Sequence, residues 1–248
     1  MPIIDTSINS FLESELIEAN AEREAAHEPS GKLSASTLYQ PLRFQVLKSI
    51  GAPRKPMDAF TLGRFDVGRI VEDSLTTSMH NMGILLEQQK FLEYKGVIGY
   101  ADAVIDTDKM QAKKGIIPCE VKSAANMKLK RIKATGIDYH YKLQGCFYAL
   151  AMGTTHYAMA VRSYESTAYL LLELFDIHEL KQDIDGIIDR YDAAMKDWNE
   201  NRKLPKFEPN PKVPWTANLQ YSMFEPEWAV GSDDWAITQL KTLGIVKE

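Results

Sequence analysis

Three apolar or alternating runs follow one another at residues 84–94, 97–105 and 116–121, separated only by Lys95-Gly96 and a polar turn at 106–115. Runs of this length bounded by turn residues predict strands, with side chains alternating between two faces. On both sides the period lengthens. Ser34-Ala-Ser36 opens a segment with Leu38, Leu42, Phe44, Val46 and Leu47. A second segment, 58–82, spaces Phe60, Val67, Ile70, Val71 and Leu75 as a helix would. A helix is predicted over 138–152, strands over 156–161 and 168–175, and a long amphipathic helix over 177–198. This order of helix, helix, three strands, helix, two strands, helix implies an α/β fold: one mixed central β-sheet flanked by helices.

Composition sets the class. The chain has 248 residues, 45% of them hydrophobic and 25% charged, as expected of a globular protein with a substantial core. No apolar run approaches the ~20 residues of a membrane span. The first twenty residues carry four acids and no basic segment of the secretory kind. Cys119 and Cys146 fit neither a disulfide framework nor a metal-ligand spacing, so a cytoplasmic location is expected. Residues 7–26 predict an exposed acidic helix that His27-Glu-Pro-Ser-Gly31 ends. The expected division is therefore a helical arm at 1–32 and a single domain at 33–248, with a Trp- and Pro-rich C-terminal extension.

The net charge of −5 hides a local reversal. Between Lys109 and Lys142 lie nine Lys or Arg and two acids, a balance of +7, which leaves −12 for the rest of the chain. A polyanionic substrate would be drawn to such a stretch. The alternative is a solvated helix face with ordinary lysines. Within the stretch stands Cys119-Glu-Val-Lys122, and before it Gly99-Tyr-Ala-Asp102. Glu120 and Lys122 share one face of a strand. Asp102 is expected at the end of a neighbouring strand, where it would meet Glu120. Two carboxylates that close need a cation between them, and hard oxygen donors suit Mg²⁺ or Mn²⁺. Taken alone, an E-x-K is equally an exposed ion pair. Gln144 and Tyr148 then fall one turn apart on the predicted helix.

The set G-x-x-D, E-x-K and Q-x-x-x-Y resembles the PD-(D/E)XK nuclease superfamily, and within it the RecB-like exonuclease domain of phage and CRISPR-associated enzymes. Gly68-Arg-Ile-Val-Glu72 stands where those nucleases carry G-x-x-x-H or G-x-x-x-E, and Leu33-Ser-Ala-Ser36, with Pro41 and Arg43, resembles their opening segment. The resemblance spans about residues 33–175. It implies a restriction-endonuclease-like core. Glu72, Asp102, Glu120 and the Val121 carbonyl would be metal ligands, Lys122 the catalytic lysine, and Gln144 and Tyr148 the groups that position phosphate or lysine. Many RecB-like relatives hold an iron–sulfur cluster on four cysteines. Here Gln40-Pro41 stands where a Cys-Pro would fall, so no iron–sulfur cluster is expected.

The expected activity is a Mg²⁺- or Mn²⁺-dependent DNA exonuclease of recombination, repair or phage DNA processing. The alternatives are a structure-specific endonuclease, or a nucleic-acid-binding or assembly protein with little catalysis. Lys128, Lys130, Arg131 and Lys133 would contact DNA phosphates. Tyr139 and Tyr141 could stack on an unpaired base, although core packing explains them too. His140 is expected on the surface. DNA is the expected partner, with a second copy of the chain or a recombination protein also open, and no membrane.

Overall fold

The computed structural model describes residues 11, 13–15, 17–19, 31–166 and 170–246. Residues 11, 13–15 and 17–19 are helical; the rest of the expected arm helix, up to residue 26, lies outside the described residues. The sheet has five strands in sequence order: β1 (Leu85–Tyr94), β2 (Val97–Asp106), β3 (Ile116–Ala124), β4 (His156–Ser163) and β5 (Leu170–Asp176). All neighbours are antiparallel except β3 and β4. A parallel pair needs a long crossover. Here it contains two helices, α3 (Asn126–Thr135) and α4 (Tyr139–Met152). Before the sheet come α1 (Leu42–Ser49) and α2 (Ala59–Asn81). After it come α5 (Lys181–Asn201), a five-residue α6 (Pro226–Val230) and α7 (Asp233–Thr242). The mixed, helix-flanked sheet expected from the sequence is the one observed.

Alternation along β3 divides the core in two. Ile117, Cys119 and Val121 face α2 and pack with Val71, Leu75 and Met79 of that helix and with Ala158 and Ala160 of β4. The other face meets α4 through Tyr157, Met159 and Val161, together with Leu143, Phe147 and Tyr148. Glu120 and Lys122 lie on this second face by the same alternation.

Three expectations change. Phe60 and Ile70 are 75% and 68% exposed. The helical period of α2 is right, but the row that meets the sheet is Val71, Leu75 and Met79. Ile70 lies off that row, and Phe60 precedes Gly68, where α2 passes the end of β3 beside Ser123. Secondly, the segment read only as a basic stretch forms α3. It buries just Leu129 and Ile132, too few apolar positions to show a period. Thirdly, Asp102 stands inside β2 and Glu120 inside β3, not at strand ends. β2 continues to Asp106 because Ala103, Val104 and Ile105 are all buried.

The C-terminal extension closes the core around one cation. Arg43 of α1 is buried and donates from Nε to the Trp228 carbonyl (2.6 Å), and from its two terminal nitrogens to Pro205 (3.1 Å) and Gly231 (2.8 Å). Asp233 lies 3.6 Å away. Phe44 packs on Phe207 and Phe224, and Trp228 meets Trp235 edge-on.

Candidate active site

The site is a fork between two strands. β2 and β3 pair from Asp106↔Ile116 to Ala103↔Cys119, and there the ladder stops. The next partners in that register would be Asp102 with Glu120 and Ala101 with Val121. Instead the Asp102 carboxylate takes the Val121 N–H, 2.7 Å from Oδ2. A side chain has replaced a ladder carbonyl, and β3 runs on paired only with β4, through Ala124. In an antiparallel register one residue's N–H and C=O point to the same neighbour. The Val121 carbonyl therefore faces the gap that Asp102 enters.

β2 changes orientation at this point. Val97 and Ala101 belong to the α4 side of the core, and Ala103 and Ile105 to the α2 side. A flat strand would put all four on one face, so the strand is coiled sharply around Asp102. Opposite it on β1 stands Gln89, in the left-handed backbone region (φ 48°). That conformation is uncommon for a residue with a Cβ. It turns the Gln89 amide toward two carboxylates. Nε2 donates to Glu72 of α2, and lies 3.4 Å from Asp102 Oδ1. Gln89 is the member of the site that the sequence reading lacked. The signal was present: Lys95 and Gly96 form a two-residue turn with both φ positive, the Tyr94↔Val97 pair closes it, and counting back from there sets residue 89 against 102.

On the α4 side, Glu120 is 1% exposed. Its Oε1 accepts from the Lys122 ammonium, and its Oε2 has no hydrogen-bond partner. Burial pushes its pKa up to about 8 against the pull of Lys122, and Asp102 and Glu72 push the same way. Burial pulls the Lys122 ammonium down, but Glu120 and Asp102 outweigh it and hold it above its ordinary value. Glu72 is also raised, first by burial and then by Asp102. Three carboxyls thus sit around one ammonium, and Asp102 raises the other two. Lys122 Nζ lies 5.6 Å from the centre of the Tyr141 ring, a cation–π contact.

Gln144 Nε2 donates to the Tyr148 hydroxyl at 2.9 Å. Tyr148 is buried, and burial, then the Glu120 charge, raises its pKa. It also explains the glycine of Gly99-Tyr-Ala-Asp102. A Cβ on Gly99 would come within 2.8 Å of both Tyr148 and Ala35. Glycine lets the hairpin lie directly on α4 and on the Leu33–Ser36 segment, where Ile98 N–H donates to the Leu33 carbonyl. Gln144 and Tyr148 are therefore a hydrogen-bonded pair on the wall behind Glu120.

Among the phosphate-contact candidates, Lys130, Arg131 and Lys133 are exposed on α3, and Lys128 is half-buried. Asp138 holds two of them: both its oxygens accept from Arg131 (2.8 and 2.9 Å), and Lys128 lies 3.8 Å away. Tyr139 does not face a strand path; its hydroxyl donates to Asp183 at 2.8 Å. His140 is not a free surface histidine. Its ring is half-buried against Tyr39, Tyr141 and Trp215, and burial lowers its pKa to about 4.

Glu72, Asp102 and Glu120 all stand at the fork, yet among the described residues no three His, Cys, Asp or Glu side chains close around one ion-sized point. The present rotamers serve Gln89, the Val121 amide and Lys122. The donor set nonetheless fits a hard divalent ion. All donors are oxygens, and Glu120 Oε2 is a buried acceptor without a donor, which is costly unless a ligand satisfies it.

No protein-family model matches the chain, and no curated protein does. Solved structures do. The complex of LHK-Exo with dAMP superposes with a TM-score of 0.55 at 12% identity, covering 70% of this chain and 92% of that one. A second structure of LHK-Exo, an alkaline exonuclease from Laribacter hongkongensis, gives 0.52 at 11% identity, covering 76% and 97%. The structure of SSO0001 gives 0.51 at 14% identity, covering 86% and 93%. At these identities the likeness establishes the fold. That fold is a mixed five-stranded sheet flanked by helices.

Proposed function

We propose that this protein is a divalent-metal-dependent nuclease that hydrolyses DNA from an end, in recombination, repair or phage DNA processing. The observation that carries the reading is the fork: a β-ladder is given up so that Asp102, Glu120 and Lys122 can share one gap, with an acceptor on Glu120 left unpaired. A site built only for stability would not bury an unsatisfied carboxylate. The fold shared with an alkaline exonuclease, and the nucleotide in one of its structures, support the same conclusion.

Glu72, Asp102, Glu120 and the Val121 carbonyl would hold Mg²⁺ or Mn²⁺, which when bound supplies an acidified water and neutralises charge on the scissile phosphate. The remaining chemistry belongs to the chain. Lys122, held as an ammonium by Glu120 and Asp102, donates to a phosphate oxygen and stabilises the charge that develops in the transition state. Its contact with Glu120 fixes its direction. Asp102 locks the fork through the Val121 amide, and Gln89 keeps Glu72 turned toward the gap. The Gln144–Tyr148 pair walls the site on the α4 side, against the hairpin. Lys130 and Lys133 add sequence-independent phosphate contacts.

The test is digestion of end-labelled linear DNA with Mn²⁺, comparing the wild type with Lys122→Ala. Wild-type protein should degrade the strand and lose that activity in EDTA. Equal digestion by both proteins, or full activity in chelator, would end the assignment. A covalently closed circle should resist, since end-directed hydrolysis needs an end.

A further inference from the structure

The C-terminal extension places one tryptophan where packing does not explain it. Residues 210–217 form a tight turn. Asn210 N–H donates to Thr216 Oγ1 (2.9 Å), the Thr216 hydroxyl donates to the Val213 carbonyl (2.8 Å), and Val213 and Thr216 are buried. The Asn210 amide donates to the Tyr39 carbonyl at 2.9 Å and pins the turn to the domain. In this fixed setting Trp215, the largest apolar residue of the turn, is left 40% exposed.

What lies behind it is aromatic, and what lies beside that is the site. Trp215 is 5.3 Å from Tyr39 and 5.8 Å, edge-on, from His140. His140 lies 4.0 Å from Tyr141. The Tyr141 ring carries Lys128 at 4.9 Å and Lys122 at 5.6 Å. Rings from three distant segments thus form a continuous ledge that begins at the lysine of the fork and ends at an open indole. An exposed indole on an aromatic ledge next to cations suits a base attached to a phosphate: stacking tolerates any sequence because every base has a π-face. A base already stacked within a duplex has no free face to offer.

We propose that Trp215, backed by Tyr39 and His140, is a stacking site for an unpaired nucleobase adjoining the cleaved phosphodiester. The chain therefore takes its DNA as a single strand or a frayed end. This rests on the nuclease reading above and adds a substrate class to it.

The test measures binding of fluorescein-labelled single-stranded oligothymidylate by anisotropy in Ca²⁺, with cleavage in Mn²⁺ followed separately. Trp215→Ala should weaken binding roughly tenfold, and Trp215→Phe far less. The wild type should bind an oligonucleotide with an abasic end roughly tenfold more weakly than the normal one, a comparison that needs no variant to fold. The abasic change should add nothing further in Trp215→Ala. A blunt duplex should be bound equally by Trp215→Ala and wild type. If the wild type binds and cleaves DNA while Trp215→Ala matches it, or the abasic penalty is the same in both proteins, the stacking site is wrong and the nuclease reading stands. If the Trp215 effects appear but the wild type never cleaves, the nuclease reading falls and the base site remains. If no DNA binds, both fall.

Discussion

Arg43 and Glu120 are both buried and ionisable, and the protein treats them in opposite ways. Arg43 is given three backbone carbonyls and a nearby carboxylate. Its partners come from the C-terminal extension, so this cation ties the two ends of the domain together. Glu120 has one partner, one orphaned oxygen, and two further carboxyls that raise its pKa with it. A fully satisfied buried charge can serve structure, whereas a half-satisfied one costs stability. On the proposed reading that cost marks the site, and it separates two buried ionisable groups.

The largest effect should come from the site. Lys122→Ala should lower the initial rate of DNA hydrolysis in Mn²⁺ by about 10³-fold, in the range for loss of one transition-state donor. Its thermal midpoint should stay close to that of the wild type. A midpoint that falls as far as that of an Arg43 variant would break the contrast. Arg43→Met should do the reverse. Three carbonyls lose their donor, so stability should fall by about 3 kcal/mol, which is roughly 10 °C in midpoint for a domain of this size. Differential scanning calorimetry decides this.

Glu120→Gln sharpens the comparison through pH. The folded Glu120 pKa, about 8, lies above its ordinary value of 4.5. Between those values the folded state binds the proton and the unfolded state does not. Stability is therefore lost as pH rises through that window. Glutamine cannot ionise, so in chelator Glu120→Gln should gain about 1 kcal/mol near pH 8, and the gain should vanish toward pH 4.5. Urea denaturation at the two pH values measures it. A variant less stable than wild type at pH 8 would show Glu120 to be structural. The smallest effect should follow the double change of Lys130→Ala and Lys133→Ala. DNA affinity should fall several-fold, and the slope of log affinity against log salt should decrease by about 2.

Much of this was legible in the chain. The runs at 84–94, 97–105 and 116–121, and the helix at 138–152, became β1, β2, β3 and α4 within a few residues. The periods of β2, β3 and α4 are strong because each buries one face or two, whereas β1 buries only Leu92. Asp102, Glu120, Lys122, Gln144 and Tyr148 were singled out by type and spacing, and they do gather on adjacent elements. What failed was of another kind. α3 has two buried apolar positions, too few for a period. Phe60 and Ile70 fit a helix, yet nothing local says where the sheet beneath it stops. His140 lacked any sign that Tyr39 and Trp215 would enclose it, since those contacts join residues 101 and 75 positions away.

The sequence by itself determined the order of the five strands, the shared face of Glu120 and Lys122, and the two-residue turn that sets Gln89 against Asp102. These follow from periods and turn chemistry, which are local. Only the tertiary structure decided that the β2–β3 ladder breaks at Ala103, that the Asp102 side chain takes the Val121 amide, that one oxygen of Glu120 stays unpaired, and that Trp215 is left facing solvent. Each of these is a competition between a local preference and a partner from elsewhere in the chain. Such a competition is settled by packing, because distant residues have energy to contribute only once the fold brings them together.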